Sequence, residues 1–402
     1  VYRDGGNSDY GTSIAGSVSG TSISFGSAVV FNSGQTNDEV ISFDSNTANK
    51  YVVAYDDAGD SNKGKAIVGT ISGTSLSYGT ESQYSAGTSI NDVAFNPNKA
   101  NQFVVAYRDL NSPFYGFVVI GTVSGDSISY SSPIQLQATR SDDPKISFDP
   151  NTSGRFIVSY LDKGNSDKGT VILGDVGSAP LTSENYIGMS GGDVFFNPTF
   201  GTASVFEAAA TKFTSIAFDS NSNKVVIAYQ DDANSDYGTA IVGTVDASNN
   251  SITFGTPEVF ESARCDFVRA TFDSNSNKVV IVYQDNGNDL SGTAIVGTVS
   301  GTSISFGSAA VFEAGNTKDI STCFDSNSNK VVIAYSDGNA SSSGKSVVAT
   351  VSGTSISFGT VVTFNSGETS DTSIAFDSNS NKVVVSYAIE FGTGTSAYGT
   401  AI

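Results

Sequence analysis

Three observations predict an all-β fold, a seven-bladed β-propeller of four-stranded antiparallel blades. A Phe closing a short apolar run recurs at Phe43, Phe95, Phe148, Phe218, Phe272, Phe324 and Phe376. The steps between these marks are 52, 53, 70, 54, 52 and 52 residues, the period of a four-stranded unit repeated around an axis. Between the marks lie short runs of β-branched and aromatic residues bounded by Asn, Asp, Ser and Gly, too short for helices.

The clearest copy of the unit is 214–245, TSIAFDSNSNKVVIAYQDDANSDYGTAIVGTV. Residues 215–218 form strand A, and 219–223 (DSNSN) form a turn whose side chains bond their own backbone. Residues 224–229 (KVVIAY) form strand B, a continuous apolar run that reads as buried on both faces. Strand C follows at 238–245, and the SISFG-type segment, clearest at 303–307, forms strand D. A single such sheet leaves both faces wet, and backbone ordering costs about 1–2 kcal/mol per residue, so stability requires stacking against neighbours.

The repeat predicts one domain over 1–402. Residues 1–38 hold a strand B remnant, a strand C (11–18) and a strand D (22–31), whereas the last unit holds A, B and only the start of C (399–402). The two ends therefore complement one another. The N-terminal strands are expected to complete the last blade and close the ring, which removes exposed sheet edges. The beginning at Val1, inside a strand B match, suggests a processed or partial chain. The 70-residue step contains 177–210, an irregular insertion with the only methionine, Met189, read as a decorated loop or a docking contact. Cys265 and Cys323 fall in different parts of successive units and are expected to remain free thiols.

In this arrangement the A–B and C–D turns share one side of the ring, and the B–C and D–A connections share the other. The A–B turns barely vary, whereas the B–C connections range from DDANSDY (231–237) to DLNSPFY (109–115), and the D–A connections include ESARCDFVR (261–269) and QATRSDD (137–143). Varied loops on a uniform frame mark a contact surface. The ligand-contact candidates on that side are Arg108, Phe114, Tyr115, Arg140, Asp142, Asp143, Asp236, Tyr237, Arg264, Asp266 and Arg269. Guanidinium groups suit carboxylates or sulfates, and the aromatic rings supply surface for a sugar or a protein.

Asp219, Asn221 and Asn223 place oxygens at alternate positions, like the opening of a calcium loop. Lys224 stands where such a loop needs Gly, so a self-bonded turn is the reading preferred, with calcium left open and no other cofactor expected. The acids that end strand B, Asp57, Asp109, Asp162, Asp231, Asp285 and Asp337, either start turns or ring one face. The chain has no His, which removes Ser-His-Asp and Cys-His catalysis. Paired carboxylates could still cleave a polysaccharide, but 40 acids in a repeating pattern single out no pair, and with no Trp the S-x-D-x-G-x-T-W box of sialidase propellers is absent.

A formal charge of −20 argues against nucleic acid and anionic membranes, and no apolar run is long enough to span a bilayer. The repeats at 218–245 and 297–312, with LTSENYIGMS at 181–190, resemble repetitive proteins of marine bacteriophages grouped with tail or fibre components. The resemblance implies a virion-surface or extracellular propeller without catalytic residues. Such a module would contact a host glycan or protein, or another virion protein, within a particle where it could be oligomeric. A polysaccharide-cleaving enzyme and a purely architectural spacer are the alternatives.

Overall fold

The computed structural model describes residues 2–4, 10–111, 113–176, 199–246 and 251–388. Each of the seven Phe marks ends a strand A paired antiparallel with the following strand B; Phe218 faces Val225 and Phe324 faces Val331, for example. In the fourth sheet strand B, Lys224–Asp231, also pairs along its whole length with strand C, Tyr237–Asp246. Strand B is thus hydrogen-bonded on both edges, and from Val225 to Asp231 it is buried on both faces, as its unbroken apolar run requires.

Strand D is built in two pieces. In the fifth sheet Ser303–Phe306 pairs with the far half of strand C, and Ala310–Glu313 pairs with the near half. The step between them starts at Gly307, where a Cβ would lie 2.0 Å from the Thr354 carbonyl of the next sheet. Only glycine allows this approach. Gly26, Gly79, Gly255 and Gly359 meet the C–D turn of the next sheet in the same way.

The D–A connections depart from expectation. Four of them are not loops: Val29–Phe43, Ile134–Phe148, Ser204–Asp219 and Glu258–Asp273 are single strands that serve as D in one sheet and continue as A in the next. The change of sheet occurs at a bulge, marked by register shifts and by left-handed residues at Asp38, Asp143, Phe213 and Phe267. Residues 204–210, within the segment expected to be a decorated loop with an irregular outer strand, form an outer strand D that pairs with Lys168–Asp175 through two register shifts; residues 177–198, including Met189, lie outside the described residues.

The last sheet draws on both ends of the chain. Strand B, Lys382–Ala388, pairs with the N-terminal strand Tyr10–Ser19 through Val383, Val384 and Val385 opposite Gly16, Ala15 and Ile14. Strand D follows at Ser22–Phe25 and from Val29 onward. Tyr2–Asp4, the remnant of strand B, pairs with the outer half of the same strand C. The competing segment 399–402 lies outside the described residues.

The apolar core is divided into clusters, each sandwiched between consecutive sheets. One joins Val226, Ala228 and Val242 to Val279, Ile281 and Tyr283; another joins Ala15, Phe31 and Val384 of the last sheet to Val53, Tyr55 and Ile67 of the first. Strand B residues alternate between the two neighbours, so each sheet is held from both faces. Full burial of each such side chain is worth roughly 1.5–3 kcal/mol.

An aromatic contact repeats at these boundaries. A ring on strand D packs edge-on or tilted against the strand B Tyr of the next sheet: Phe31 on Tyr55, Phe206 on Tyr229, Phe260 on Tyr283, Phe312 on Tyr335 and Phe364 on Tyr387, with centroids 4.8 to 5.3 Å apart. The buried phenols of Tyr229, Tyr283 and Tyr335 donate to Glu207, Glu261 and Glu313 at 3.1, 3.1 and 2.7 Å.

Candidate functional site

The A–B turns are uniform because each residue has a fixed structural task. Asp219 is buried, and its carboxylate accepts from the Asn221 and Ser222 amides and the Ser222 hydroxyl at 3.0, 3.0 and 2.6 Å. Asn221 turns its amide to the next sheet and donates to the Ser274 carbonyl at 3.3 Å. Asn327 reaches Ser378 and Asn379 reaches Ser45 in the same manner, so the turn is also an inter-sheet clasp. Asn223 is left-handed and accepts from Asn151, and Lys224 crosses to Thr244 at 2.8 Å. The oxygens of Asp219 and Asn223 thus have separate partners, and Asn221 is held through its amide nitrogen.

The acids that end strand B start the B–C turns. Asp231 accepts from Ala233 and Asn234, Asp285 from Gly287 and Asn288, and Asp162 from Gly164. Asp57 and Asp337 add ion pairs to Lys65 and Lys345. The turn then needs left-handed residues, supplied by Ser61 and Asn62, Ser166 and Asp167, Ser235 and Asp236, and Ser341 and Ser342. In the second sheet the corresponding left-handed residue is Phe114, with φ of 60° and 40% exposure. A bulky ring in that conformation is unfavourable, and this one keeps a large part of its surface in solvent.

Around Phe114 the structure gathers most of one set of candidates. The Arg140 guanidinium lies 5.1 Å from the ring centroid and that of Arg108 lies 5.6 Å away. Asp142 joins the two arginines: Arg108 Nη1 donates to its Oδ1 at 2.8 Å, and Arg140 Nε and Nη2 grip both oxygens at 2.9 Å. Arg108 also donates twice to Ser89, its partner on strand A of the same sheet, so its donors are largely taken up, whereas Arg140 is exposed. Tyr115 stands opposite Arg140 in the strand pairing and is half-buried. Burial pushes the Asp142 carboxyl up, but the hydrogen bonds from Arg140 and Arg108 outweigh it and hold the group below the usual carboxylate range. Lys163, which the sequence did not single out, lies 3.8 Å from Asp142 and adds a third cation.

Two sheets further on, Tyr237 stands opposite Arg264 in the same pairing, and Arg264 Nη2 bonds Asp266 at 3.1 Å. Asp236 there is left-handed and 3.9 Å from Lys212. Buried Asp266 also accepts from Gln230 and Asn286, and no cation-π contact is present in this second group among the described residues. Cys265 and Cys323 are free thiols, and burial pushes both well above the usual range.

Asp143 and Arg269 do not belong with the others. Asp143 is the bulge residue beside Lys145, paired at 2.8 Å, and Arg269 lines a cavity of about 280 Å³ walled by residues that precede each of the Phe marks. Their sequence segments looked like loops because bulges carry polar and strained residues as turns do. Three positions before the Phe mark, the cavity-lining column reads Val40, Asp92, Lys145, Ser215, Arg269, Ser321 and Ser373. Near the A–B turns a second, apolar recess is walled by Phe95, Phe148, Phe218 and Phe272.

All-β sheets stacked face to face around a shared cavity define a β-propeller. Solved structures share that fold: the lectin BP39L from Burkholderia pseudomallei (TM-score 0.61, 10% identity, covering 86% of this chain and 90% of that one); the periplasmic gluconolactonase PpgL from Pseudomonas aeruginosa (TM-score 0.56, 12% identity, 88% and 95%); and Sqt1 from Chaetomium thermophilum (TM-score 0.53, 12% identity, 84% and 74%). At such identities the likeness concerns the fold alone. No family model and no curated protein matches the chain.

Proposed function

We propose that the chain is a noncatalytic binding module of a virion surface or the extracellular space, a seven-bladed ring closed by strands from both chain ends, whose B–C face holds an anionic host glycan. Ring closure is supported by the core cluster between the last and first sheets, by the Asn379 clasp onto Ser45, and by the seven strands that line one cavity. The observation that carries the binding reading is Phe114, an exposed ring in a strained backbone position between two guanidiniums. The equivalent positions hold Asn62, Asp167, Asp236, Leu290 and Ser342; Leu290 is half-buried, whereas Phe114 presents its ring to solvent, which the turn itself does not require.

Phe114 offers a flat apolar platform for the face of a sugar ring. Arg140 keeps Nη1 for an outside acceptor, such as a sulfate or uronate oxygen, while its other nitrogens are fixed by Asp142. Among the similar structures BP39L is a lectin, and its fold accommodates that role. The charge of −20 makes nucleic acid an unsuitable anion, since its dense phosphates would be repelled.

The test is an array of sulfated and uronate-containing oligosaccharides, read with the unaltered chain, Phe114→Asn and Arg140→Gln. Asn tolerates the left-handed turn, so the first variant keeps the fold. Binding that falls at least about tenfold in both variants, a loss of about 1.4 kcal/mol or more, with intact glycan recovered, supports the reading. Binding unchanged in both, or release of shortened product, would refute it.

A further inference from the structure

We infer that the cavity lined by Arg269 binds a small zwitterion, of the size and charge pattern of a free amino acid. Its walls carry acids, bases and hydroxyls on different strands. Asp38, Glu39 and Asp92 line the first and second strands, Lys145 and Arg269 the third and fifth with Thr214 and Ser215 of the fourth between them, and hydroxyl side chains such as Ser321 and Thr372 the sixth and seventh. Acids, bases and hydroxyls therefore face one space of about 280 Å³, near the lower end of the roughly 300–1,000 Å³ typical of ligand pockets.

The repeat supplies its own control. Ser215, Ser321 and Ser373 hold the column position satisfactorily in three sheets, and Ser215 uses its hydroxyl to accept from the next strand at Ala270. Asp92 plays the same linking part, accepting from Ile146 at 2.8 Å. Arg269 plays none: its Nη1 donates to the neighbouring Val268 carbonyl at 2.9 Å, and it forms no ion pair among the described residues. Lys145 already has a counter-ion in Asp143 at 2.8 Å, whereas Arg269 has none among the described residues although it lines the same cavity. A carboxylate bound against Arg269 supplies that anion. An ammonium on the same small molecule then faces the acids of the first and second strands, where an anion alone would be repelled.

The experiment is a thermal-shift screen of the full chain against the common α-amino acids, with acetate and methylammonium as the two half-ligands, each at about ten times a millimolar dissociation constant. At least one amino acid is expected to raise the midpoint by about 1–2 °C, with acetate and methylammonium giving less. Arg269→Ser installs the residue three sheets already use, and is expected to abolish the shift without lowering the ligand-free midpoint. Calorimetric titration of the best amino acid is expected to weaken at least tenfold in Arg269→Ser. No shift with any amino acid, a shift that survives Arg269→Ser, or an equal shift with acetate overturns the inference.

Discussion

The boundary between the fourth and fifth sheets offers a quantitative test of how the sheets hold together. A Cβ added at Gly238 would lie 2.4 Å from Phe260 Cε2, 2.6 Å from its Cζ and 2.9 Å from Cys265 Sγ. Gly238→Ala must therefore displace a buried ring that packs on Tyr283 at 5.2 Å, and overpacking of this kind costs about 1–3 kcal/mol. Phe260→Ala alone removes the ring and leaves a cavity, at about 3–5 kcal/mol. In the double variant the new methyl occupies space the ring has left, so the two losses do not sum. The combined loss is expected to fall short of additivity by about 1–2 kcal/mol, the residual cost being the Cys265 contact. Urea unfolding of the four proteins, followed by tyrosine fluorescence, measures the coupling. Additivity within about 0.5 kcal/mol would refute the packing assigned to this boundary.

Three further outcomes follow from the same contacts. Tyr335→Phe removes the hydroxyl donated to Glu313 but leaves Lys345 beside that acid, so a loss of about 1.5–3 kcal/mol in urea unfolding is expected; no loss would contradict the bond. Asn327→Ala severs the clasp onto Ser378 at an exposed turn and should cost about 0.5–1.5 kcal/mol, without change in glycan binding. Asp142 has a depressed folded-state pKa, so its stabilising contribution is complete above the ordinary carboxylate range near pH 4 and is lost as pH falls through the folded value. The midpoint difference between the native chain and Asp142→Asn should therefore shrink on acidification below about pH 4, and a difference independent of pH would refute the linkage.

The strand order was legible because strand B is an apolar run ending in Tyr in each copy, interrupted only by Ser159 and Ser386, and the Phe mark keeps its spacing in all steps but one. The completion of the last sheet by 10–31 was legible for the same reason, since each chain end lacked what the other carried. The D–A passages were misread: ESARCDFVR alternates polar and apolar residues around a left-handed Phe267, and a bulge within a continuous strand carries the polar, strained pattern of a loop. That error put Arg269 on the outer face, when its place in the strand A column turns it toward the cavity. Phe114, Tyr115, Arg140 and Asp142 were singled out from loop variability and side-chain type, but the bonding of Arg108 to Ser89 required coordinates, because Ser89 is 19 residues away and on another strand. Lys145 and Asp92 were missed because the repeats were compared by loops; aligning the column before each Phe would have exposed them.

Hydrogen–deuterium exchange of the full chain, with and without a sulfated oligosaccharide selected on the array, tests the binding account most directly. Slower exchange confined to peptides covering 108–116 and 139–142, and absent in Phe114→Asn, is the predicted result. Protection centred on the DSNSN turns of the opposite face, or none at saturating oligosaccharide, would contradict it.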